Sequence, residues 1–261
     1  MKKAVFLDID GTLIDCLNGL TDITPTVKKQ IHILQANGDY VFLATGRPYA
    51  FLSEALLSFG FDGFILTNGS QVKTKEGTIY KAPLKKDFIE KVVNNFEKLN
   101  IQYMLQGEIY SYMKEKCKAF YSIYDSYSIS RKYLKTSYDL KNIDIYKMEM
   151  LCVDQKGVDY CMSLGDDNYD NIHNFNEKSF ELYSKKNTKA TGILKALDYL
   201  NIPLKNSYAF GDGINDIEML STVGCGIAMG NACDEVKSYA NEVTDTVHND
   251  GIALGIKKFI R

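Results

Sequence analysis

The stretch Ala4-Val5-Phe6-Leu7-Asp8-Ile9-Asp10-Gly11-Thr12-Leu13 sets a short apolar run directly against two acidic residues and a glycine. Four apolar residues in a row are consistent with a strand buried on both faces, the setting of a parallel sheet. The same texture then repeats. Thr24 reads as an N-cap with Pro25 at the first helical position, Val27, Ile31 and Leu34 fall at helical spacing, and Gly38 closes the helix. Tyr40 to Ala44 is the next strand. It stops at Thr45-Gly46-Arg47, after which Pro48 starts a helix carrying Phe51, Leu52, Ala55 and Leu56 as far as Gly60. Phe64 to Leu66 is a third strand, ending at Thr67-Asn68-Gly69. Strands alternating with helices imply right-handed crossovers and an α/β fold with a doubly wound parallel sheet, whose binding crevice lies at the carboxyl ends of the strands. The polar clusters sit at those ends.

From about Lys81 to Tyr183 the pattern changes. Tyr103 to Leu105 and Ile109 to Met113 read as a hairpin around Gln106-Gly107-Glu108, and Met148 to Val153 as a further strand. Half of the 18 tyrosines lie between Tyr103 and Tyr146, interleaved with lysines. The first pattern resumes with a helix over Thr188 to Leu200, a strand over Tyr208 to Phe210 and a helix starting at Asp216. The expected organisation is a core of residues 1–81 and 184–261 interrupted by an inserted α+β domain over 82–183.

The chain has 261 residues, 45% hydrophobic and 25% charged, which is ordinary globular usage. Its 31 basic and 33 acidic side chains leave a net charge of -2, so nothing global attracts nucleic acid or an anionic membrane, and any anion site is local. The apolar run after Lys2 and Lys3 is too short for a signal peptide, and no run approaches the ~18 apolar residues of a membrane span. Six scattered cysteines without a C-x-x-C pair fit reduced thiols in a cytoplasmic protein and argue against a zinc site.

Four clusters carry chemistry. In Asp8-Ile9-Asp10-Gly11-Thr12-Leu13, two carboxylates two residues apart where a strand ends can both address one point, one attacking while the other manages a proton. The plain alternative is a loop in which both aspartates make Asx-turns before the glycine. Thr45-Gly46-Arg47 offers a hydroxyl and a glycine amide as a small anion cradle, or simply a turn. Lys189, near a helix start, opposes the helix dipole; either an anion or aspartate lies close by, or it is a solvated first-turn lysine. Gly211-Asp212-Gly213-Ile214-Asn215-Asp216 adds two aspartates at another strand end, and clustered carboxylates repel unless a cation sits among them. Hard oxygen ligands suit Mg²⁺.

Other signals fail. Asp216 stands where a dinucleotide fingerprint needs its third glycine, and no P-loop occurs. Asp166, Asn168, Asp170 and Glu177 fall near calcium-loop spacing, but Asn171 replaces the glycine. His32, His173 and His248 are isolated from any recognisable triad.

In this order the four clusters resemble the haloacid dehalogenase superfamily, and within it the Cof-type phosphatases with a large inserted cap (subclass IIB), whose core is Rossmann-like. Asn68-Gly69, Gly226 to Ala232 and Asn249 to Ile252 are similar to that subfamily's segments as well. The resemblance implies an Mg²⁺-dependent hydrolase acting on a small phosphomonoester, a sugar phosphate or a phosphorylated cofactor. Asp8 would take the phosphoryl group as an aspartyl-phosphate, and Asp10 would protonate the leaving alkoxide and then activate water. Mg²⁺ would be held by Asp8, the backbone carbonyl of Asp10 and Asp212, with Asp216 in support. Thr45, the Gly46 amide and Asn215 would position the phosphate, and Lys189 would neutralise charge. A second carboxylate at Asp10 favours esters, since a halide leaves without a proton. The insertion would be the cap that closes over the core and chooses the substrate. A sugar phosphomutase of the same superfamily and a non-catalytic phosphate-binding regulator are the alternative readings. The expected partner is a small phosphorylated metabolite, with no nucleic acid or membrane, and the protein a monomer or small homo-oligomer.

Overall fold

The computed structural model of the protein describes residues 1–126, 129–173 and 178–260. Its strands are β1 (Ala4–Leu7), β2 (Tyr40–Ala44), β3 (Gly63–Leu66), β4 (Gln71–Thr74), β5 (Gly77–Lys81), β6 (Gln102–Gly107), β7 (Ser111–Tyr112), β8 (Leu134–Lys135), β9 (Ile145–Leu151), β10 (Tyr169–His173), β11 (Ser179–Ser184), β12 (Ser207–Gly211), β13 (Cys225–Ala228) and β14 (Glu242–Val243). The chain divides into two units. One comprises Met1–Gly46, Leu57–Lys81 and Thr188–Arg261; the other comprises Arg47–Leu56 and Ala82–Asn187.

The first unit is built on one sheet in the order β14-β13-β12-β1-β2-β3-β4-β5. β14 through β3 run parallel, and β4 and β5 extend the edge as an antiparallel hairpin. All four residues of β1 are fully buried, as expected for a central strand covered on both faces. Ala4 and Phe6 share a cluster with Phe42, Ile65, Ile193, Ala196 and Leu197, so the helix Lys189–Leu200 covers one face. The helix Pro25–Ala36 starts as its sequence predicts, with Pro25 in the first turn and the Thr24 hydroxyl accepting from the Val27 amide. β1 is flanked by β2 on one side and β12 on the other, so the connection order reverses there. In open parallel sheets a reversal of this kind is where ligands bind, at the carboxyl ends of the strands.

Thr67-Asn68-Gly69, after β3, has positive φ at all three residues. At Gly69, φ is 88°, and a Cβ would run into the Thr188 carbonyl, with its carbon at 2.7 Å. Only glycine lets this loop lie against the cap of the helix that carries Lys189.

The second unit holds a six-stranded sheet in the order β10-β11-β9-β6-β7-β8, antiparallel except for β7 with β8. Alternate residues Tyr103, Leu105, Met148, Met150, Phe180 and Leu182 pack on Ile89, Val92, Val93 and Phe96 of the helix Lys86–Lys98. The intervening residues Gln106, Lys147, Glu149 and Glu181 therefore share the other face. There Lys147 Nζ lies 2.6 Å from Glu181 Oε2 and 3.9 Å from Glu149 Oε1, and Gln106 donates to Glu149 at 3.0 Å.

The structure departs from sequence expectation in several places. The helix expected from Pro48 is a 3-10 turn (Tyr49–Phe51) followed by a short helix (Glu54–Ser58). Leu52 is extended between them, and the Ser53 hydroxyl accepts from the Leu56 amide to restart the helix. This segment groups with the second unit, although the sequence boundaries leave it in the core, and residues 184–187 do so too. The helix expected at Asp216 begins at Ile217, after a 3-10 turn (Ile214–Asp216). Of the calcium-loop set, Asp170 is a strand residue of β10 paired with Tyr183, and Glu177 lies outside the described residues.

Two outcomes follow from these packings. Gly69→Ala lowers the urea-denaturation stability by roughly 2 kcal/mol or more, because both the φ and the Thr188 carbonyl exclude the methyl group; unchanged stability would show that the loop does not need this conformation. Burial pushes Glu149 up to about 7 against the pull of the Lys147 ammonium. Between its ordinary value and about 7 the folded protein holds a proton that the unfolded chain has released, so stability falls as pH rises through that window. Glu149→Gln should flatten this slope, worth on the order of 1–3 kcal/mol, in denaturation curves taken from pH 4.5 to 7.5.

Candidate active site

The carboxyl end of β1 delivers Asp8. Its amide donates to the Phe210 carbonyl of β12 at 3.0 Å, the last rung of the parallel ladder. The chain then winds tightly, with the amides of Thr12, Leu13 and Ile14 all donating to the Ile9 carbonyl at 3.3, 2.9 and 3.0 Å. The turn leaves Asp8 buried and Asp10 exposed on one short loop. Gly11 has φ 80°, and a Cβ there would lie 2.7 Å from the Asp212 carboxyl carbon. Glycine thus lets the loop after β1 press against the loop after β12.

Lys189 is the first residue of its helix, behind a Thr188 cap whose hydroxyl and Thr191 form a reciprocal capping box. Its side chain is 1% exposed, with Nζ 2.5 Å from Asp8 Oδ1 and 2.6 Å from Asp216 Oδ1. The dipole penalty noted from sequence is thus met by two aspartates. Asp216 is fully buried, and its other oxygen accepts from the amides of Asp212 and Gly213 at 3.1 and 2.9 Å. Asp212 accepts from the Thr12 hydroxyl at 2.7 Å.

Burial, followed by the neighbouring Asp216, pushes the Asp8 carboxyl well above its usual range. Burial also raises Asp212 to about 6, against the Thr12 hydrogen bond. Lys189 is held in its charged form, because the two carboxylates outweigh the cost of burying it. Asp8, Asp212 and Asp216 each present an oxygen, all within 4.8 Å of one another. Three carboxylates against one ammonium leave excess negative charge among hard oxygen donors, which fits a divalent cation. The Asp10 carboxylate is not one of the three side chains in this group.

The remaining expected residues gather through Asn68. Thr45 is buried at the end of β2, where its amide donates to Ile65 and its carbonyl accepts from Asn68 N. A Cβ on Gly46 would lie 3.0 Å from Asn68 Oδ1, and Asn215 Nδ2 lies 3.5 Å from the same oxygen. Sequence reasoning gave no role to Asn68, Thr12 or Asn231. Asn231 donates to the Gly11 carbonyl at 2.8 Å and to Asp212 Oδ2 at 3.3 Å. All three lie in segments the resemblance marks, which was the available signal.

A family model described as haloacid dehalogenase-like hydrolase matches residues 5–256. The chain is 31% identical to a Bacillus subtilis protein named "Putative phosphatase YkrA", covering 98% of this chain and 97% of that one. It is 27% identical to the 5-amino-6-(5-phospho-D-ribitylamino)uracil phosphatase YcsE of the same organism, over 99% and 96% of the two chains. Among solved structures, the HAD subclass IIB sugar phosphatase BT4131 superposes with a TM-score of 0.78 at 26% identity, covering 99% of each chain. The chain belongs to the haloacid dehalogenase-like hydrolases, and these full-length likenesses place it among the Cof-type phosphatases of that superfamily. No helix among the described residues is long and apolar enough to cross a membrane.

The Lys189 geometry predicts a stability effect separable from catalysis. In chelator, Lys189→Met leaves Asp8 and Asp216 buried without their cation, and urea unfolding should show a loss on the order of 3 kcal/mol. No loss would mean that the ammonium does not hold the two carboxylates together.

Proposed function

We propose that this protein is an Mg²⁺-dependent phosphatase that hydrolyses a small phosphomonoester, a sugar phosphate or a phosphorylated cofactor, through an aspartyl-phosphate on Asp8. The observation that carries this reading is the buried Asp8 carboxylate, held at one oxygen by Lys189 among the oxygens of Asp212 and Asp216. One oxygen of Asp8 is fixed by the ammonium, which leaves the other to form the bond to phosphorus in line with the departing ester oxygen. Asp10, exposed on the same turn, donates a proton to the leaving alkoxide and later takes one from the attacking water. Thr45, the Gly46 amide and Asn215, gathered around Asn68, hold the phosphoryl oxygens in place. Mg²⁺, held by Asp8, the Asp10 carbonyl and Asp212 with Asp216 in support, supplies charge stabilisation for the transferring group. Choice of the non-phosphate part is assigned to the inserted unit, Ala82–Asn187 with Arg47–Leu56. The relatives' names favour a metabolite of this size as partner, and the fit of the donor set favours Mg²⁺.

The test is phosphate release from a panel of sugar phosphates and phosphorylated cofactors, with Mg²⁺ or with chelator. Wild type should release phosphate only with Mg²⁺. Asp8→Asn should abolish release, and Asp10→Asn should lower it by about 10²-fold or more. Transfer between sugar phosphates without net release would make the protein a mutase. Mg²⁺-dependent phosphate binding without turnover of any monoester would make it a regulator.

A further inference from the structure

We infer that Asn231 is a positioning residue that fixes the Asp212 carboxylate and the Asp8–Thr12 loop relative to each other for cation binding, an inference that rests on the proposed metal site. Asn231 lies just beyond β13, at the same end of the sheet as Asp8, Thr45 and Asp212. Its amide makes three contacts of complementary kind. Oδ1 accepts from the Val247 amide at 2.9 Å, while Nδ2 donates to the Gly11 carbonyl at 2.8 Å and to Asp212 Oδ2 at 3.3 Å. The orientation follows from chemistry: a flipped amide would turn its oxygen toward two acceptors and its NH₂ toward an N–H donor.

Val247 is itself held in place. It belongs to a short 3-10 turn (Val247–Asn249) anchored where the Gly230 amide donates to the Asp245 carbonyl at 3.0 Å. Next to it, His248 Nε2 lies 3.0 Å from Asp15 Oδ2, and Asp250 accepts from the Thr24 hydroxyl, so the tail is tied back to the segment after β1. Asn231 thus transmits the position of this tail to the site.

At Asp212 the result is one donor on each oxygen: Thr12 Oγ1 on Oδ1 and Asn231 Nδ2 on Oδ2. Both donors are tied to the loop of residues 8–15, Thr12 covalently and Asn231 through the Gly11 carbonyl. Both are neutral, so they orient the carboxylate without cancelling the charge that a cation needs. Partners of this kind behind a metal ligand commonly change metal affinity or activity by about 10- to 100-fold when removed. Asn231 is exposed, so its replacement opens no cavity.

The experiment is calorimetric titration of Mg²⁺ into the full chain for wild type, Asp212→Asn, Asn231→Leu and Thr12→Val, with thermal unfolding in chelator alongside. Wild type should bind Mg²⁺ and Asp212→Asn should not. Asn231→Leu should weaken binding about tenfold while staying fully folded in chelator at the titration temperature, and Thr12→Val should likewise weaken binding. In turnover, Asn231→Leu should raise the Mg²⁺ concentration for half-activation while kcat recovers at saturating Mg²⁺. Equal affinity in wild type and Asn231→Leu overturns the inference, as does weaker binding in a variant already partly unfolded in chelator at the titration temperature. If wild type and Asp212→Asn bind alike, the proposed metal site itself fails and the inference falls with it.

Discussion

The Lys189 ammonium, buried between Asp8 and Asp216, is the constraint around which the first unit is arranged. Its partners lie 181 and 27 residues away along the chain, so the contact exists only when β1, β12 and the helix after Thr188 are assembled. Burying three charges is expensive, and a pair of this kind repays the cost only with close geometry and further hydrogen bonds. Those bonds are present: Asp216 takes two backbone amides on its second oxygen, and the capping box fixes the first turn that carries Lys189. The positive-φ turn at Thr67-Asn68-Gly69 belongs to the same arrangement, because Gly69 is the surface on which that cap rests.

Much of this unit was legible in sequence for a simple reason. A central parallel strand is apolar without interruption, and its end is marked by the polar residues the crevice needs, so Ala4–Leu7 and Tyr40–Ala44 could be bounded almost to the residue. Lys189 was legible as an anomaly, a cation at the wrong end of a helix dipole, although its partners could not be assigned from spacing. Asn231 was legible only as part of the Gly226–Ala232 segment that the resemblance marks, without a role of its own. A single asparagine after a strand has ordinary turn chemistry as its first explanation, and its value here arises from three partners, Gly11, Asp212 and Val247, widely separated in the chain.

The second unit was harder to read because its sheet is clothed differently on its two faces. In β9, Met148 and Met150 face the helix Lys86–Lys98, while Lys147 and Glu149 point the other way into a cluster of charged and hydrogen-bonded side chains. A run of Lys-Met-Glu-Met-Leu shows the alternation but looks like a solvated strand, since nothing local says that Lys147 is buried. The segment 47–56 posed the opposite problem. Its apolar spacing fits a helix, yet Ser53 restarts the chain, and its grouping with the second unit depends on contacts such as Tyr49 with Tyr133 and Phe51 with Tyr124. Local pattern carries no information about those rings.

The aspartates of the candidate site differ in how their charge is managed, and that difference argues for distinct roles. Asp8 and Asp216 share a full positive charge, which suits a group that must be held still while one oxygen remains available and a support fixed behind it. Among the described residues, Asp212 receives neutral donors, a hydroxyl and an amide, one on each oxygen. An ammonium there would compete with a cation for the same charge, whereas neutral donors fix direction and leave the charge in place. Asp10 is left exposed on the same short turn as Asp8. Four aspartates on two strand ends thus divide into three electrostatic settings, and the division is made by Lys189, Thr12 and Asn231 rather than by the aspartates themselves.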